Sequence, residues 1–263
     1  MNLEMKVSVI IPTYNAEGVI GRAIRSVFLQ GMFDLEVMVV DDCSTDDTAT
    51  IAENMGAKVI RNREHSGGPN KGRNTGLMWA AGDVICFLDQ DDEWLEGKIQ
   101  SQMALLWYAP IVFCGYKESG KQIGAGAYRL YEKNEIFIHK LRSEWDHCPY
   151  MSTIMIKKSL KDIHFEEKWG MADYDWILLL TKNQPAASSG GPYVIRHITG
   201  SNLSLEKDYR SVAHGFALET LKGYKWDYKK DVRYGKWRIR RTQILKWCAM
   251  GLSEMSVEDI HNV

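Results

Sequence analysis

The chain has 263 residues, 45% of them hydrophobic and 25% charged, which suits one large α/β domain with a substantial core. Lys and Arg total 33 against 34 for Asp and Glu, so no global charge invites a nucleic-acid partner. Five scattered cysteines without a Cys-x-x-Cys pair argue against a disulfide framework and against a zinc site, and for reduced thiols in a cytosolic setting.

In chain order, Lys6 to Ile11 reads as a β-branched strand ended by Pro12. A helix from about Glu17 to Gln30 follows, with Val19, Ile20, Ala23, Ile24, Val27 and Phe28 on one face and Gly31 past its end. Leu35 to Val40 is a second buried strand. A helix capped by Ser44 or Asp46 runs to Met55 and stops at Gly56. Lys58 to Arg61 is a third strand. After a Gly-rich loop, a helix over Asn70 to Ala81 leads into a fourth strand ending at Leu88. This alternation implies a mainly parallel sheet flanked by helices, a Rossmann-like α/β arrangement with right-handed crossovers.

Past residue 94 the rhythm loosens. An amphipathic helix is predicted over Trp94 to Tyr108, strands at Ile111 to Cys114, Met151 to Ile156 and Pro192 to His197, and a helix at Tyr174 to Lys182. Beyond about Leu205 the chain is charged and aromatic and reads as two or three helices. These elements divide the chain into an α/β domain, 1–205, whose rhythm changes near residue 100, and a helical C-terminal extension, 206–263.

Open α/β sheets bind ligands beyond the carboxyl ends of their strands. The first strand ends in Pro12-Thr13-Tyr14-Asn15 and the second in Asp41-Asp42, so Tyr14 and Asp42 share one edge. A tyrosine stacks on a nucleobase while a carboxylate accepts from its ring N–H; plain turn chemistry is the alternative. The loop His65-Ser66-Gly67-Gly68-Pro69-Asn70-Lys71-Gly72-Arg73 places flexible backbone and two cations at a helix N-terminus, an arrangement suited to a diphosphate. Asp89, Asp91 and Asp92 crowd the end of the fourth strand. Carboxylates so close raise one another's pKa unless a cation joins them, and a divalent ion bridging nucleotide phosphates satisfies both needs. The alternative is an acidic turn capping the next helix.

Four segments occur in order: Val-Ser-Val-Ile-Ile-Pro-Thr-Tyr-Asn, Val-Val-Asp-Asp-Cys-Ser-Thr-Asp-Asp-Thr, Gly-Arg-Asn-Thr-Gly-Leu and Phe-Leu-Asp-Gln-Asp-Asp-Glu-Trp. Together they resemble the family-two inverting glycosyltransferases of the GT-A fold, strongly from residue 6 to about 100 and more thinly to about 205. The resemblance implies a nucleotide-sugar donor, uridine donors being the commonest, with Mn²⁺ or Mg²⁺ and transfer with inversion to a saccharide or glycolipid acceptor in surface-polysaccharide or glycoconjugate synthesis. It makes 1–100 a nucleotide-binding half and 101–205 an acceptor half of the catalytic domain. It assigns Pro12, Tyr14 and Asp42 to the base, Arg73 to the base or diphosphate and Asp89 to the ribose, and counts Thr13 and Gly68 among the substrate-binding residues. Asp91 is the metal ligand of the Asp-x-Asp motif, with Asp92 a second candidate one position on.

The family's base stands at the start of a helix, commonly in a Glu-Asp pair. Here Trp169-Gly170-Met171-Ala172-Asp173-Tyr174-Asp175 carries Ala172 in place of the Glu, with Asp173 the first choice and Asp175 the fallback. Arg196-His197 resembles the family's Arg-x-His segment, which brings His197 towards diphosphate or metal; a structural histidine is the alternative. Trp145, His147 and Tyr150 are candidates for the acceptor side.

Gly115 to Lys121 has P-loop spacing, but Gln122 stands where a hydroxyl must meet Mg²⁺, so a hairpin turn is expected. Lys6 and Ser8 interrupt any signal-peptide core, and Met103 to Tyr116 is too short to span a bilayer. The expectation is a cytoplasmic protein, at most peripheral at the inner face of a membrane. Lys and Arg mixed with Trp226, Tyr228, Tyr234, Trp237 and Trp247 suit a helix packed on the catalytic domain or on a second subunit of a homodimer, or one lying on an anionic membrane. A catalytically inactive scaffold relative and a sugar nucleotidyltransferase are the rival functions.

Overall fold

A computed structural model describes residues 5–31, 34–118, 120–123, 128–136, 149–167 and 173–198 of the chain, with backbone alone at 122–123 and 174–175. Ten strands form one sheet in the order β3-β2-β1-β4-β9-β6-β10-β5, with β7 paired to β6 and β8 to β10. The first half is wholly parallel. β1 (Val7–Thr13) lies between β2 (Leu35–Asp41) and β4 (Val84–Phe87), and β3 (Lys58–Arg61) extends β2. Helices α1 (Ile20–Phe28), α2 (Thr48–Asn54) and α3 (Pro69–Trp79) make the crossovers.

The second half is mixed. β9 (Met155–Lys157) runs antiparallel between β4 and β6 (Ile111–Glu118), and β6 pairs in parallel with the long β10 (Ala186–Arg196). β5 (Glu93–Trp94), β7 (Lys121–Ile123) and β8 (Tyr128–Tyr131) all pair antiparallel. Between β5 and β6, α4 (Lys98–Met103) is followed by a 3₁₀ turn at Ala104–Trp107; α5 (Tyr174–Thr181) precedes β10.

Side chains alternate along each central strand, so the sheet is buried on both faces. Val7, Val9 and Ile11 of β1 and Cys86 of β4 meet Ile20, Ala23, Ile24 and Val27 of α1 on one side. Ile10, Ile85 and Phe87 face the other, with Leu77 of α3 and Trp176 of α5. Trp176 stacks on Phe165 (ring centroids 4.2 Å apart) and meets Phe87 edge-on at 5.3 Å, which draws α5 against the end of β4.

Several expectations change, among them the last strand, which opens at Ala186 rather than Pro192, and the N-cap of α2, which is Asp47 rather than Ser44 or Asp46. β1 does not stop at Pro12 but runs to Thr13. Its pairing with β4 ends at Ile10↔Phe87, so the missing N–H of Pro12 costs no ladder bond on that side. Trp94 does not open a helix: it pairs with Val194 in β5, and α4 begins after Gly97, whose φ of +82° starts the turn. Met151–Thr153 is a 3₁₀ turn rather than strand. The P-loop-like segment is the hairpin it was read to be, with Glu118 opposite Lys121. The boundary near 205 and the C-terminal extension lie outside the described residues.

Candidate active site

The parallel strands deliver their carboxyl ends to one edge, and two turns interlock there. Asn15 (φ +44°) and Cys43 (φ +68°) both take left-handed conformations, as chain reversals straight off a strand require. Asn15 Oδ1 accepts from the Thr45 N–H at 2.9 Å, and the Asn15 N–H donates to Ser44 Oγ at 2.9 Å. Gln90, the middle residue of the Asp-Gln-Asp motif, ties this edge to the acidic loop. Its Oε1 accepts from the Tyr14 N–H at 2.8 Å and from Thr13 Oγ1 at 3.2 Å. No residue-type signal in the sequence singles Gln90 out for that role.

Tyr14 is 40% exposed, and its ring lies 4.1 Å from that of His65, tilted by 31°. Asp42 beneath them is buried. Asn62 Nδ2 donates to its Oδ1 at 2.7 Å, while the Ser66 N–H and hydroxyl both donate to its Oδ2 at 2.9 Å. His65 Nδ1 stands 2.9 Å from the same Oδ2. Asp42 therefore moulds the 62–66 loop around the exposed tyrosine. Gly67 (φ +80°) turns the loop, and Gly68 caps α3 with Pro69 at its first position.

Arg73, only 3% exposed on α3, gives Nη2 to Asp89 Oδ1 at 2.8 Å and Nη1 to Asn70 Oδ1 at 3.1 Å. The other oxygen of Asp89 lies 3.2 Å from the Tyr150 hydroxyl. Asp92 is fully buried. Its Oδ2 accepts from Tyr150 at 2.7 Å and from Ser152 Oγ at 2.5 Å, while its Oδ1 is buried without a hydrogen-bond partner. Asp91 lies partly exposed between them, and its main-chain oxygen accepts from Arg22 Nη2 at 2.8 Å. Burial, reinforced by the charge of Asp89, pushes Asp91 up to about 6 and Asp92 up to about 8.

Among the described residues no three His, Cys, Asp or Glu side chains converge into a ready cation cage. Even with Arg73 on Asp89 and with Arg22 and Arg196 near Asp91, the acidic loop keeps an orphaned carboxylate oxygen and two carboxyls that resist ionisation, a deficit of compensating charge. A hard divalent ion taking oxygens from Asp91 and from a nucleotide diphosphate fits that deficit.

On the acceptor side, Asp173 stands at the start of α5, partly exposed, and its side chain makes no capping bond to the helix. Three residues on, Trp176 rests against Phe87 of β4, which sets α5 beside that strand. The Asp175 side chain, Trp145 and His147 fall outside the description. Tyr150 points into the acidic loop. His197 Nε2 is 3.4 Å from Glu93 Oε2, and Arg196 Nη1 donates to Glu118 Oε2 at 2.7 Å while lying 5.2 Å from the Tyr150 ring centroid.

A parallel half carrying acids at the end of β4, joined to a mixed half through β9, defines the GT-A class of fold. The chain belongs to glycosyl transferase family 2, whose family model matches residues 8–163. Two curated relatives are similar over their shared stretch. A Campylobacter jejuni GalNAc(5)-diNAcBac-PP-undecaprenol beta-1,3-glucosyltransferase is 40% identical over 103 residues, 37% of this chain and 33% of that protein. The Escherichia coli UDP-Glc:alpha-D-GlcNAc-diphosphoundecaprenol beta-1,3-glucosyltransferase WfgD is 37% identical over 102 residues, 38% of this chain and 40% of that one. The matched region thus spans well under half of these relatives. Among solved structures, S. aureus TarS 1-349 in complex with UDP-GlcNAc superposes with a TM-score of 0.69 at 24% identity, covering 92% of this chain and 70% of that one. The mannosyltransferase PcManGT of Pyrobaculum calidifontis, in complex with GDP-Man and Mn²⁺, gives 0.57 at 17% identity over 98% and 72%. At such identities the likeness speaks for the fold.

Proposed function

We propose that the chain transfers a sugar, with inversion, from a nucleoside-diphosphate sugar to a hydroxyl of a saccharide or lipid-linked saccharide. The observation that carries this reading is the meeting of Arg73–Asp89, Asp91 and Asp92 beside the exposed Tyr14 ring on one sheet edge. Tyr14 offers a face for the nucleobase, within the loop that Asp42 holds. Arg73 fixes Asp89 so that a ribose hydroxyl meets an oriented carboxylate. A Mn²⁺ or Mg²⁺ ion held by Asp91, with Asp92 behind it, would neutralise the departing diphosphate. Asp173, at the start of α5, takes the proton of the acceptor hydroxyl as the general base. Arg22 and Arg196 add positive charge around the same loop and favour ionised Asp91.

The relatives named for diphosphoundecaprenol substrates support a lipid-linked acceptor and a uridine donor. Among the described residues no helix is long and apolar enough to cross a membrane, so contact with such an acceptor is proposed to be peripheral.

A positioned general base contributes roughly 10²–10⁴-fold. Asp173→Asn is therefore expected to bind donor normally and to lose transfer by about that factor. Asp91→Ala is expected to lose both transfer and the part of donor affinity that manganese supplies. Radiolabelled transfer assays with calorimetry on UDP-sugars test both, and wild-type turnover by Asp173→Asn would remove the base assignment. Slow manganese-dependent hydrolysis of a nucleotide sugar by the wild type separates an enzyme from a scaffold.

A further inference from the structure

We infer that Tyr150 is a positioning residue for Asp89 and Asp92, the carboxylates that flank the metal ligand proposed at Asp91, and that through it the mixed half of the sheet sets the geometry of the donor site; the inference rests on the donor reading above. Its hydroxyl stands 2.7 Å from Asp92 Oδ2 and 3.2 Å from Asp89 Oδ2. A phenol carries one proton, so the two acids share one donor and are drawn together by it. Arg73 takes the opposite oxygen of Asp89, and Ser152 takes the oxygen of Asp92 that Tyr150 also takes. Asp89 and Asp92 are thus turned onto protein donors. Asp91 lies between them in sequence, so the two held carboxyls fix the loop that carries it.

The hydroxyl can act as a fixed reference because everything behind it is pinned. The Tyr150 ring packs against Tyr116 of β6 at 5.1 Å and lies beneath the Arg196 guanidinium of β10. Its turn is closed by the Thr153 N–H donating to the Tyr150 carbonyl at 2.8 Å and by the Tyr150 N–H donating to Thr153 Oγ1 at 3.1 Å. From below, Trp94 Nε1 donates to the Ser152 carbonyl at 2.9 Å and Gln102 Nε2 to the Thr153 carbonyl at 2.8 Å. Gln102 is itself held by the fully buried Lys98, Nζ to Oε1 at 2.9 Å, with that ammonium 4.0 Å from the Trp94 ring centroid. A chain of contacts therefore runs from α4 and β5 through the 151–153 turn to the acids after β4. Ser152 Oγ, which also accepts from the Asp89 N–H at 3.1 Å, ties the loop's main chain to the same turn. Loss of a hydrogen-bonding partner behind a metal ligand set commonly costs 10–100-fold in metal affinity.

The test uses the full chain with UDP and Mn²⁺ as probes. Tyr150→Phe keeps the ring and its packing and deletes the shared donor; Ser152→Ala deletes the second contact to Asp92 and spares the Asp89 carboxylate. UDP affinity is measured by calorimetry with manganese and with chelator, and Mn²⁺ affinity in the presence of UDP by electron paramagnetic resonance of the free ion. For Tyr150→Phe the expected result is a roughly 10–100-fold weaker Mn²⁺ affinity, unchanged UDP affinity in chelator, and an unchanged thermal midpoint. Ser152→Ala should shift the same quantity less. Wild-type Mn²⁺ affinity in Tyr150→Phe would overturn the inference alone, as would an equal loss of UDP affinity with and without metal, which marks a merely structural tyrosine. A wild-type protein whose UDP affinity ignores manganese would overturn the donor reading and this inference with it.

Discussion

Asp92 occupies the least hospitable position for a carboxylate in the described chain. It is fully buried, one oxygen has no partner, and Asp89 and Asp91 stand beside it. Burial is the larger cause of its displacement and Asp89 the next, and together they hold its pKa near 8 against 3.8 in an unstructured chain. Between those values the folded protein binds a proton that the unfolded chain has released, so folding is progressively disfavoured as pH rises from about 4 to 8. Asp92→Asn removes that dependence while preserving shape. In chelator, its thermal midpoint is expected to match wild type near pH 4 and to exceed it increasingly towards pH 8. A gap that stays constant across that range would show that Asp92 is ionised throughout.

The helix α3 owes its place to what its glycines leave out. A methyl group on Gly76 would fall 2.4 Å from Ile10 Cγ2, and one on Gly72 3.0 Å from Pro12 Cβ. Both contacts are with β1, so the Gly-Arg-Asn-Thr-Gly pattern lets α3 sit directly on the strand that carries Tyr14. Close seating also aims Arg73, between those glycines, at Asp89 on the neighbouring strand end. Overpacking of this kind typically costs 1–3 kcal/mol. Gly76→Ala is accordingly expected to destabilise by about that amount, read from urea unfolding, and to weaken UDP binding because Arg73 moves with the helix. A stable Gly76→Ala with unaltered UDP affinity would show that α3 has slack to give. Elsewhere the sequence pattern misleads by a few residues. The apolar periodicity across Trp94 to Tyr108 reads as one helix, yet Trp94 is claimed by β10, a partner about a hundred residues away that local pattern has no means of revealing.

Taken whole, the sheet joins a parallel half that carries the proposed donor site to a mixed half that braces it, with β9 as the seam between β4 and β6. A ligand that binds this seam's rim stabilises the entire described sheet, because strands on both sides contribute to it. A nucleotide at one hundred times its dissociation constant should stabilise by about 2.7 kcal/mol. UDP with Mn²⁺ is expected to raise the thermal midpoint by more than UDP alone, and chelator to cancel the difference. Equal shifts with and without the metal would remove the cation from the donor site. Buried Cys86 and Cys114, their thiols pushed up to about 11 by desolvation, are expected to resist alkylation until the sheet opens. Cys43 is the half-buried exception among the described residues.

Local chemistry wrote the donor half openly. Short β-branched runs, helix stops at Gly31 and Gly56, and acids directly after an apolar strand each state their structure within a dozen residues, which is why the βαβ order, the loops bearing Tyr14 and Asp91 and the helix start bearing Arg73 are readable from the sequence. What the residues around those loops do was decided by contacts far apart in sequence. Gln90 clamps Tyr14 from 76 residues away, and Tyr150 reaches Asp92 across 58. Whether a carboxylate faces a cation or a neighbouring hydroxyl depends on which strands the sheet brings side by side, and in the second half those pairings are antiparallel and long-range. Three nearby acids look alike in a sequence; burial and hydrogen-bond partners join Asp89 to Arg73 and Asp92 to Tyr150 and Ser152, and leave Asp91 the more exposed of the two raised carboxyls.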